Sequence, residues 1–242
     1  MSDVPIADLG ARRGEEGAHG RAARGMFERI APTYDVLNKV MSAGIDRRWR
    51  DVAVARVGRA PSGPLLDLCA GTMDLAALLA RKWPERRIVA VDFSPAMLER
   101  GRSKAPSVEV VVADAAALPL EDDTFAAVVC GFGMRNLADP VRGAREVLRV
   151  LRRGGVFVTL ELFRPTRLAT RAFHAAYARV VLPTLGGWVS GDRDAYRYLS
   201  RSMEGFLTCE QYARALSSAG FADVAGEDLT WGVASVVTGV KP

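Results

Sequence analysis

The feature that most constrains this chain is an alternation running from Leu65 to Leu162. Short apolar runs at Leu65–Cys69, Ile88–Val91, Val108–Val112, Phe125–Cys130 and Val156–Leu162 read as strands. Between them, Asp74–Lys82 is a helical run rich in Ala and Leu, and Pro95–Lys104 opens with Ser94 as N-cap and Pro95 at the first helical position. Asp139-Pro140 starts a further helix by the same logic, and Arg153-Gly154-Gly155 is expected to end it. Strands alternating with helices of this length form βαβ units and a parallel sheet. The expected fold is therefore α/β and Rossmann-like.

The flanks depart from this rhythm. Residues 1–22, rich in Gly, Ala, Arg and Glu, read as a flexible tail. Over 23–58, Met26, Phe27, Ile30, Tyr34, Leu37, Val40 and Met41 recur at helical intervals, with Pro32 breaking the stretch in two. Arg59 to Pro64 is a turn signal that opens the core. After the fifth strand, Thr166–Val181 and Asp192–Leu199 read as helices in an excursion over 164–206, the kind of insertion that covers a substrate. Cys209–Ala219 reads as a helix stopped by Gly220, and Val224–Leu229 and Val233–Val240 as a terminal antiparallel pair. That makes seven strands, mostly parallel with an antiparallel C-terminal strand, in one domain over 23–242.

Composition narrows the function classes. Three cysteines, at 69, 130 and 209, give neither a disulfide framework nor zinc spacing, and no metal site is expected. With no apolar run near the roughly 18 residues of a membrane span and no secretory leader, the expected location is cytoplasmic. The first 29 residues hold five arginines and five acids, so there is no basic arm for nucleic acid. Between Arg142 and Arg171 stand eight arginines and only Glu146 and Glu161. This cluster reads either as a solvated helix face or as a surface that meets anionic lipid headgroups or an acidic substrate.

Ligands of open α/β sheets bind beyond the carboxyl ends of the strands. The first such loop, Asp67 to Asp74, has one glycine, Gly71, between carboxylates at either end. A pyrophosphate needs several glycines there, whereas two acids attract a cation. Asp92, at the end of the second strand, is placed to accept both hydroxyls of a ribose, and Asp114, at the end of the third, to take an adenine amine. A nucleoside with cationic groups and no phosphate fits all three loops, and S-adenosylmethionine has these features. NAD is the poorer alternative because glycine is sparse.

Longer motifs sharpen the reading. They are Phe27 to Asp35 with Leu37-Asn38, Ser42-Ala43-Gly44 leading to Trp49-Arg50, Asp92 to Leu98, Ala113-Asp114-Ala115 with Leu118-Pro119, and Phe132 to Asn136. Further on come Leu151 to Gly155, Leu182-Pro183, Ala195 to Leu199 and Ala219-Gly220-Phe221. In these the chain resembles the ubiquinone/menaquinone C-methyltransferase family of class I S-adenosylmethionine-dependent methyltransferases, from about Met26 to Lys241. There is one departure: the family's first loop has glycine where Met73 stands. Met73 either crowds the cofactor's methionine portion or packs beneath it.

The resemblance implies methyl transfer to a ring carbon of a prenylated quinol, with demethylmenaquinol favoured over the ubiquinone precursor. It implies cofactor contacts from Asp67, Gly71, Thr72, Asp74, Asp92, Phe93, Asp114, Ala115 and Gly131. Arg135 is expected to stabilise a phenolate or position a water, or alternatively to pair with Asp139; Asn136 and Tyr34 are expected to bond the quinol oxygens. His174 is the one histidine outside the tail that competes for the role of base, and Cys69 and Cys130 are expected to pack as small apolar groups. Phe173, Tyr177, Val180, Val181, Leu182 and Trp188 on one side, and Met26, Phe27 and Leu37 on the other, suggest an apolar channel for the prenyl tail. A bilayer-held substrate would give the arginine cluster a docking purpose, making the enzyme peripheral at the inner face of the membrane. A homodimer is compatible with the sequence. The rival readings are a methyltransferase acting on another aromatic or polyketide-like metabolite, and a non-catalytic cofactor-binding scaffold.

Overall fold

Five apolar runs become five parallel strands; the inner ones are buried and so apolar on both faces, whereas the strand at the sheet edge is partly exposed. The five are β1 (Leu65–Leu68), β2 (Ile88–Asp92), β3 (Glu109–Val112), β4 (Phe125–Gly131) and β5 (Leu151–Glu161). The computed structural model describes residues 25–177 and 202–242. Within them the sheet order is β3-β2-β1-β4-β5-β7-β6, with β6 (Ala222–Leu229) and β7 (Ala234–Val240) at the far edge. Leu65 to Leu68 align with Ile88 to Val91 on one side and with Ala127 to Cys130 on the other. β7 runs antiparallel to both β5 and β6, so it is the one strand opposed to the rest. The seven-strand expectation holds.

Helices cover both faces. On one, α2 (Asp46–Val57), α3 (Asp74–Lys82) and α4 (Pro95–Gly101) set Trp49, Val54, Leu75, Leu79 and Leu98 against Leu65, Ile88 and Val129. On the other, α5 (Pro140–Val150) and α7 (Cys209–Ala219) set Val147, Tyr212 and Leu216 against Leu66, Val89, Val128 and Phe157. The two N-caps read from sequence, Ser94 and Asp139, are present. The Ser94 side chain accepts from Met97 N, and Asp139 accepts from Val141 N and Arg142 N. Thr208 and Gln211 form a reciprocal capping box on α7, which Gly220 ends at φ +111°.

Arg153-Gly154-Gly155 does not end α5. The helix passes at Val150 directly into β5, and the glycines lie inside the strand. There the register jumps from Phe125↔Leu151 to Ala127↔Val156, a bulge that Gly154 accommodates at φ +73°. Gly154 N donates to Lys241 O at 2.8 Å and Lys241 N to Gly155 O at 2.9 Å, so this bulge is fixed by the C-terminus. The helix α4 also stops at Gly101, before Lys104.

Pro32 interrupts the N-terminal cap as expected. Residues 25–30 are helical, Ala31–Thr33 form a 3-10 turn, and α1 (Tyr34–Met41) follows. The excursion after β5 begins with α6 (Leu168–Ala176), two residues later than Thr166 because Arg167 is extended. The tail at 1–22, the helix expected over Asp192–Leu199, and Val180, Val181, Leu182 and Trp188 lie outside the described residues. Among the described residues no helix is long and apolar enough to cross a membrane.

Candidate active site

The strand order reverses between β1 and β4, and the loops beyond their carboxyl ends diverge. A cleft of about 570 Å³ opens there. It is lined by eight of the twelve residues expected to bind cofactor or quinol: Gly71, Asp92, Phe93, Asp114, Ala115, Gly131, Tyr34 and Asn136. Asp67, Thr72, Asp74 and Arg135 are not among its lining residues.

The loop after β1 explains the division. Cys69, Gly71 and Met73 have φ of +55°, +52° and +63°, a left-handed conformation that costs glycine nothing and an L-residue about 1–2 kcal/mol. The resulting curl lets Gly71 N donate to Asp92 Oδ2 at 2.8 Å, while Ser94 N donates to Oδ1 at 2.9 Å. Each oxygen of Asp92 thus has one backbone donor and keeps a further acceptor site. Burial pushes the Asp92 carboxyl up, opposed by these hydrogen bonds. Asp114 is also held by backbone, its Oδ1 accepting from Ala116 N at 2.8 Å.

Gly131 and Gly133 also line the cleft, and neither has room for a side chain. A Cβ on Gly131 would lie 2.7 Å from Leu75 Cδ1, and one on Gly133 would lie 2.4 Å from Cys69 Cβ. Two carboxylates, an aromatic ring and two closely packed glycines, without a glycine-rich phosphate turn, fit S-adenosylmethionine and do not suit a dinucleotide.

Asp67 sits beneath the loop. It is 1% exposed, its Oδ2 accepts from Ala76 N at 2.8 Å, and its Oδ1 has no partner. Burial pushes its carboxyl up to about 8. Thr72 and Asp74 turn toward the N-terminal cap. Lys104 Nζ lies 2.7 Å from Asp74 Oδ1, 2.9 Å from Asp35 Oδ2 and 3.0 Å from Thr72 Oγ1, and Thr72 Oγ1 donates to Asp35 Oδ1 at 2.6 Å. Burial opposes the ionisation of Asp35, but hydrogen bonds from Lys104 and Thr72 and the Lys104 charge outweigh it and hold the carboxyl below its ordinary value. Arg50, paired with Asp46, reaches Asp74 at 3.4 Å. The sequence did not mark Lys104, since a lysine in the last turn of a helix, where the sequence put it, reads as a partner of the helix dipole.

Arg135 lies on the 3-10 turn Met134–Asn136 after β4. Its partner is Glu161 at the end of β5, not Asp139, whose carboxylate is occupied in capping α5. Arg135 Nη1 donates to Glu161 Oε1 at 2.5 Å and to Phe132 O at 2.7 Å, and its backbone N donates to Glu161 Oε2 at 3.2 Å. The Arg135 side chain is 8% exposed, Glu161 is fully buried, and Arg135 Nε has no partner. The Phe132 carbonyl also accepts from Asn136 Nδ2 at 3.1 Å, and Phe132 itself is left-handed at φ +59°. Such backbone strain in a bulky residue concentrates at functional sites. In front of this wall stands Tyr34, half-buried at the cleft; burial raises its hydroxyl pKa, while a hydrogen bond from Asn38 and the charges of Arg135 and Arg50 lower it.

Met73 packs beneath the loop. It is fully buried, and a Cβ on Gly101 would lie 2.6 Å from its Cγ, so its side chain fills the space that the α4 glycine leaves. Cys69 lines the cleft with its thiol pushed well up by contact with Cys130 and by burial, and Cys130 is buried. His174 lies on α6 away from the cleft, its pKa lowered by burial. Of the expected channel residues, Phe27 lines the cleft, and Tyr177 Oη donates to Met41 O at 2.5 Å, joining α6 to α1.

Known proteins resemble this chain in sequence and in fold. The model of the ubiE/COQ5 methyltransferase family matches residues 16–241. A Geobacter sulfurreducens protein named ubiquinone/menaquinone biosynthesis C-methyltransferase UbiE is 40% identical over 92% of this chain and 89% of its own. A Thermus thermophilus demethylmenaquinone methyltransferase is 42% identical over 90% of this chain and 100% of its own. In fold, a crystal structure of a SAM-dependent methyltransferase from Thermotoga maritima superimposes with a TM-score of 0.66 at 20% identity, covering 91% of this chain and 100% of that one.

Proposed function

The chain belongs to the ubiE/COQ5 methyltransferase family and is an S-adenosylmethionine-dependent methyltransferase, and from that premise we propose that it transfers a methyl group to a ring carbon of demethylmenaquinol. The observation that carries the reading is one cleft that joins strand-end carboxylates to a wall of Tyr34 and Asn136, with the buried Arg135–Glu161 pair beside Asn136.

Gly71, Asp92, Phe93, Asp114, Ala115 and Gly131 would hold the cofactor. S-adenosylmethionine supplies an electrophilic methyl group on a sulfonium. The acceptor must then become nucleophilic at carbon. A phenol, with a pKa of about ten, is a weak carbon nucleophile, whereas its phenolate places charge on the adjacent ring carbon. Tyr34 and Asn136 hydrogen-bond the quinol oxygens and fix the ring in the cleft. Arg135 would favour the phenolate from behind this wall, as the positive member of a buried pair whose geometry Glu161 fixes. Asp67, Thr72 and Asp74 set the shape of the cofactor loop from behind.

A prenylated acceptor resides in a bilayer, so the enzyme works at a membrane surface. The test is mass spectrometry of the product formed from S-adenosylmethionine and chemically reduced demethylmenaquinone with a short prenyl chain. A gain of one ring methyl is expected. Cofactor binding by calorimetry without any gain would overturn the quinol assignment.

A further inference from the structure

The turn joining β6 to β7 presents a tryptophan to solvent and holds it there. Thr230, Trp231 and Gly232 have φ of +48°, +57° and +84°, three left-handed residues in succession, two of them with bulky side chains. A single left-handed L-residue costs about 1–2 kcal/mol, so this conformation persists only because its surroundings fix it. They do so from two sides. Trp49 Nε1 on α2 donates to Thr230 Oγ1 at 2.8 Å, and Thr170 Oγ1 on α6 donates to Trp231 O at 2.8 Å. The side chain of Trp231 points outward and is 83% exposed, the most exposed large apolar side chain among the described residues.

The neighbouring helix α6 continues the same character. Leu168 is 80% exposed and Phe173 is 52% exposed. Leu168, Ala169, Arg171, Ala172, Phe173 and Ala176 are all exposed, leaving Arg171 the sole charge of that outer surface. A solvated helix normally turns charged residues outward. The charges nearby are of one sign along the chain: Arg164, Arg167 and Arg171 stand within eight residues without an acid. Arg167 shares Asp228 at 3.4 Å, and Arg164 donates to Gln211, which leaves an excess of positive charge.

We propose that Trp231 and the exposed face of α6 form a docking surface for an anionic lipid bilayer, with Trp231 entering the headgroup boundary and Arg164 and Arg171 meeting lipid phosphates. The chemistry is complementary on both counts. Tryptophan favours the membrane interface, because one end of its ring system is apolar and the other donates a hydrogen bond. Arginines beside it add electrostatic attraction to anionic lipid. The strained turn has a purpose in this arrangement, since it keeps the ring from folding back onto the sheet. The inference rests on the reading that the acceptor is held in a bilayer, and α6 is joined through Tyr177 and Met41 to the cap that borders the cleft.

The test is sedimentation of the full chain with vesicles of phosphatidylcholine alone and with added phosphatidylglycerol. Native protein is expected to sediment with the anionic vesicles. Trp231→Ser is expected to weaken that partitioning on the order of tenfold, as withdrawal of one large apolar side chain should. Arg171→Gln should lower binding to anionic vesicles and leave binding to neutral ones unchanged. Both variants should keep native cofactor affinity and native turnover of a short-chain quinol in solution. Trp231→Ser should lose turnover only when a long-chain quinol is supplied in vesicles. Unchanged sedimentation of both variants would overturn the proposal, as would self-association of the native chain that Trp231→Ser abolishes, which would make the surface a contact between copies. If no quinol is methylated in solution, the acceptor assignment fails, while the vesicle result still decides the surface.

Discussion

Replacing Asp67 by Asn tests how the cofactor loop is anchored. The carboxyl lies inside β1 at 1% exposure with one backbone donor, Ala76 N, and an unpartnered Oδ1. Burial pushes it up to about 8, with Asp74 and Asp92 acting in the same direction and Arg50 opposing. An aspartate in the unfolded chain titrates near about 4. Between about pH 4 and pH 8 the native state therefore holds a proton that the unfolded state has released, and stability falls as pH rises. The slope is about 1.4 kcal/mol per pH unit, so from about pH 5 to pH 8 this one group removes on the order of 4 kcal/mol; above pH 8 both states are ionised and the loss levels off. Asn keeps an oxygen for Ala76 N and does not titrate. Urea unfolding of native and Asp67→Asn proteins across this range should show the variant gaining on the native protein as pH rises. A constant offset between the two curves would refute the argument and mean that Asp67 is ionised in the fold.

Asp92→Ala removes the acceptor for both Gly71 N and Ser94 N, and calorimetry should show cofactor affinity falling by tenfold or more, on the order of 1.4 kcal/mol. Arg135→Ala should cut turnover while cofactor affinity stays near native; because it leaves Glu161 buried without its cation it should also cost roughly 3–5 kcal/mol of stability, and Arg135→Lys, which keeps a charge there, separates the two effects in a kcat measurement. Met73→Gly relieves a left-handed residue but empties a buried methionine site; with roughly 1 kcal/mol gained against 2–5 lost, thermal unfolding should show net destabilisation and calorimetry little change in cofactor affinity.

What the sequence made legible is what local chemistry decides. The helices at Asp74–Lys82 and Cys209–Ala219 have the bounds read from sequence because their termini are set by neighbouring residues: an early acid and a basic last turn in one, a capping box and Gly220 in the other. Asp92 and Asp114 were legible because a parallel sheet places strand-end carboxylates in its crevice. The glycines at 154 and 155 were misread because the same pair can stop a helix or accommodate a bulge, and the choice depends on Lys241 near the chain's other end. Thr72 and Asp74 lie outside the cleft's lining, and the direction of their loop depends on left-handed conformations at Cys69 and Met73 that neither residue type announces. Glu161 read as one of two acids among eight arginines, and nothing local tied it to Arg135.

The cations around the site obey a single physical requirement. A cofactor that offers ribose hydroxyls and an adenine amine needs carboxylates whose acceptor sites are not already taken by a cation. Lys104 is held by Asp35 and Asp74, Arg50 by Asp46 and Asp74, and Arg135 by Glu161. Asp92 and Asp114, which do line the cleft, accept from backbone N–H groups and form no ion pair among the described residues. Arg142, at the cleft's edge, spends its Nε on Ala116 O. Backbone donors orient a carboxylate without neutralising it, so the cleft keeps a negative potential while its walls are fastened by ion pairs, with Asp74 shared between Lys104 and Arg50. The acids that look interchangeable along the sequence therefore divide into two sets: those with a cation, which build the walls, and those with only main-chain partners, which line the cleft with acceptor sites still open.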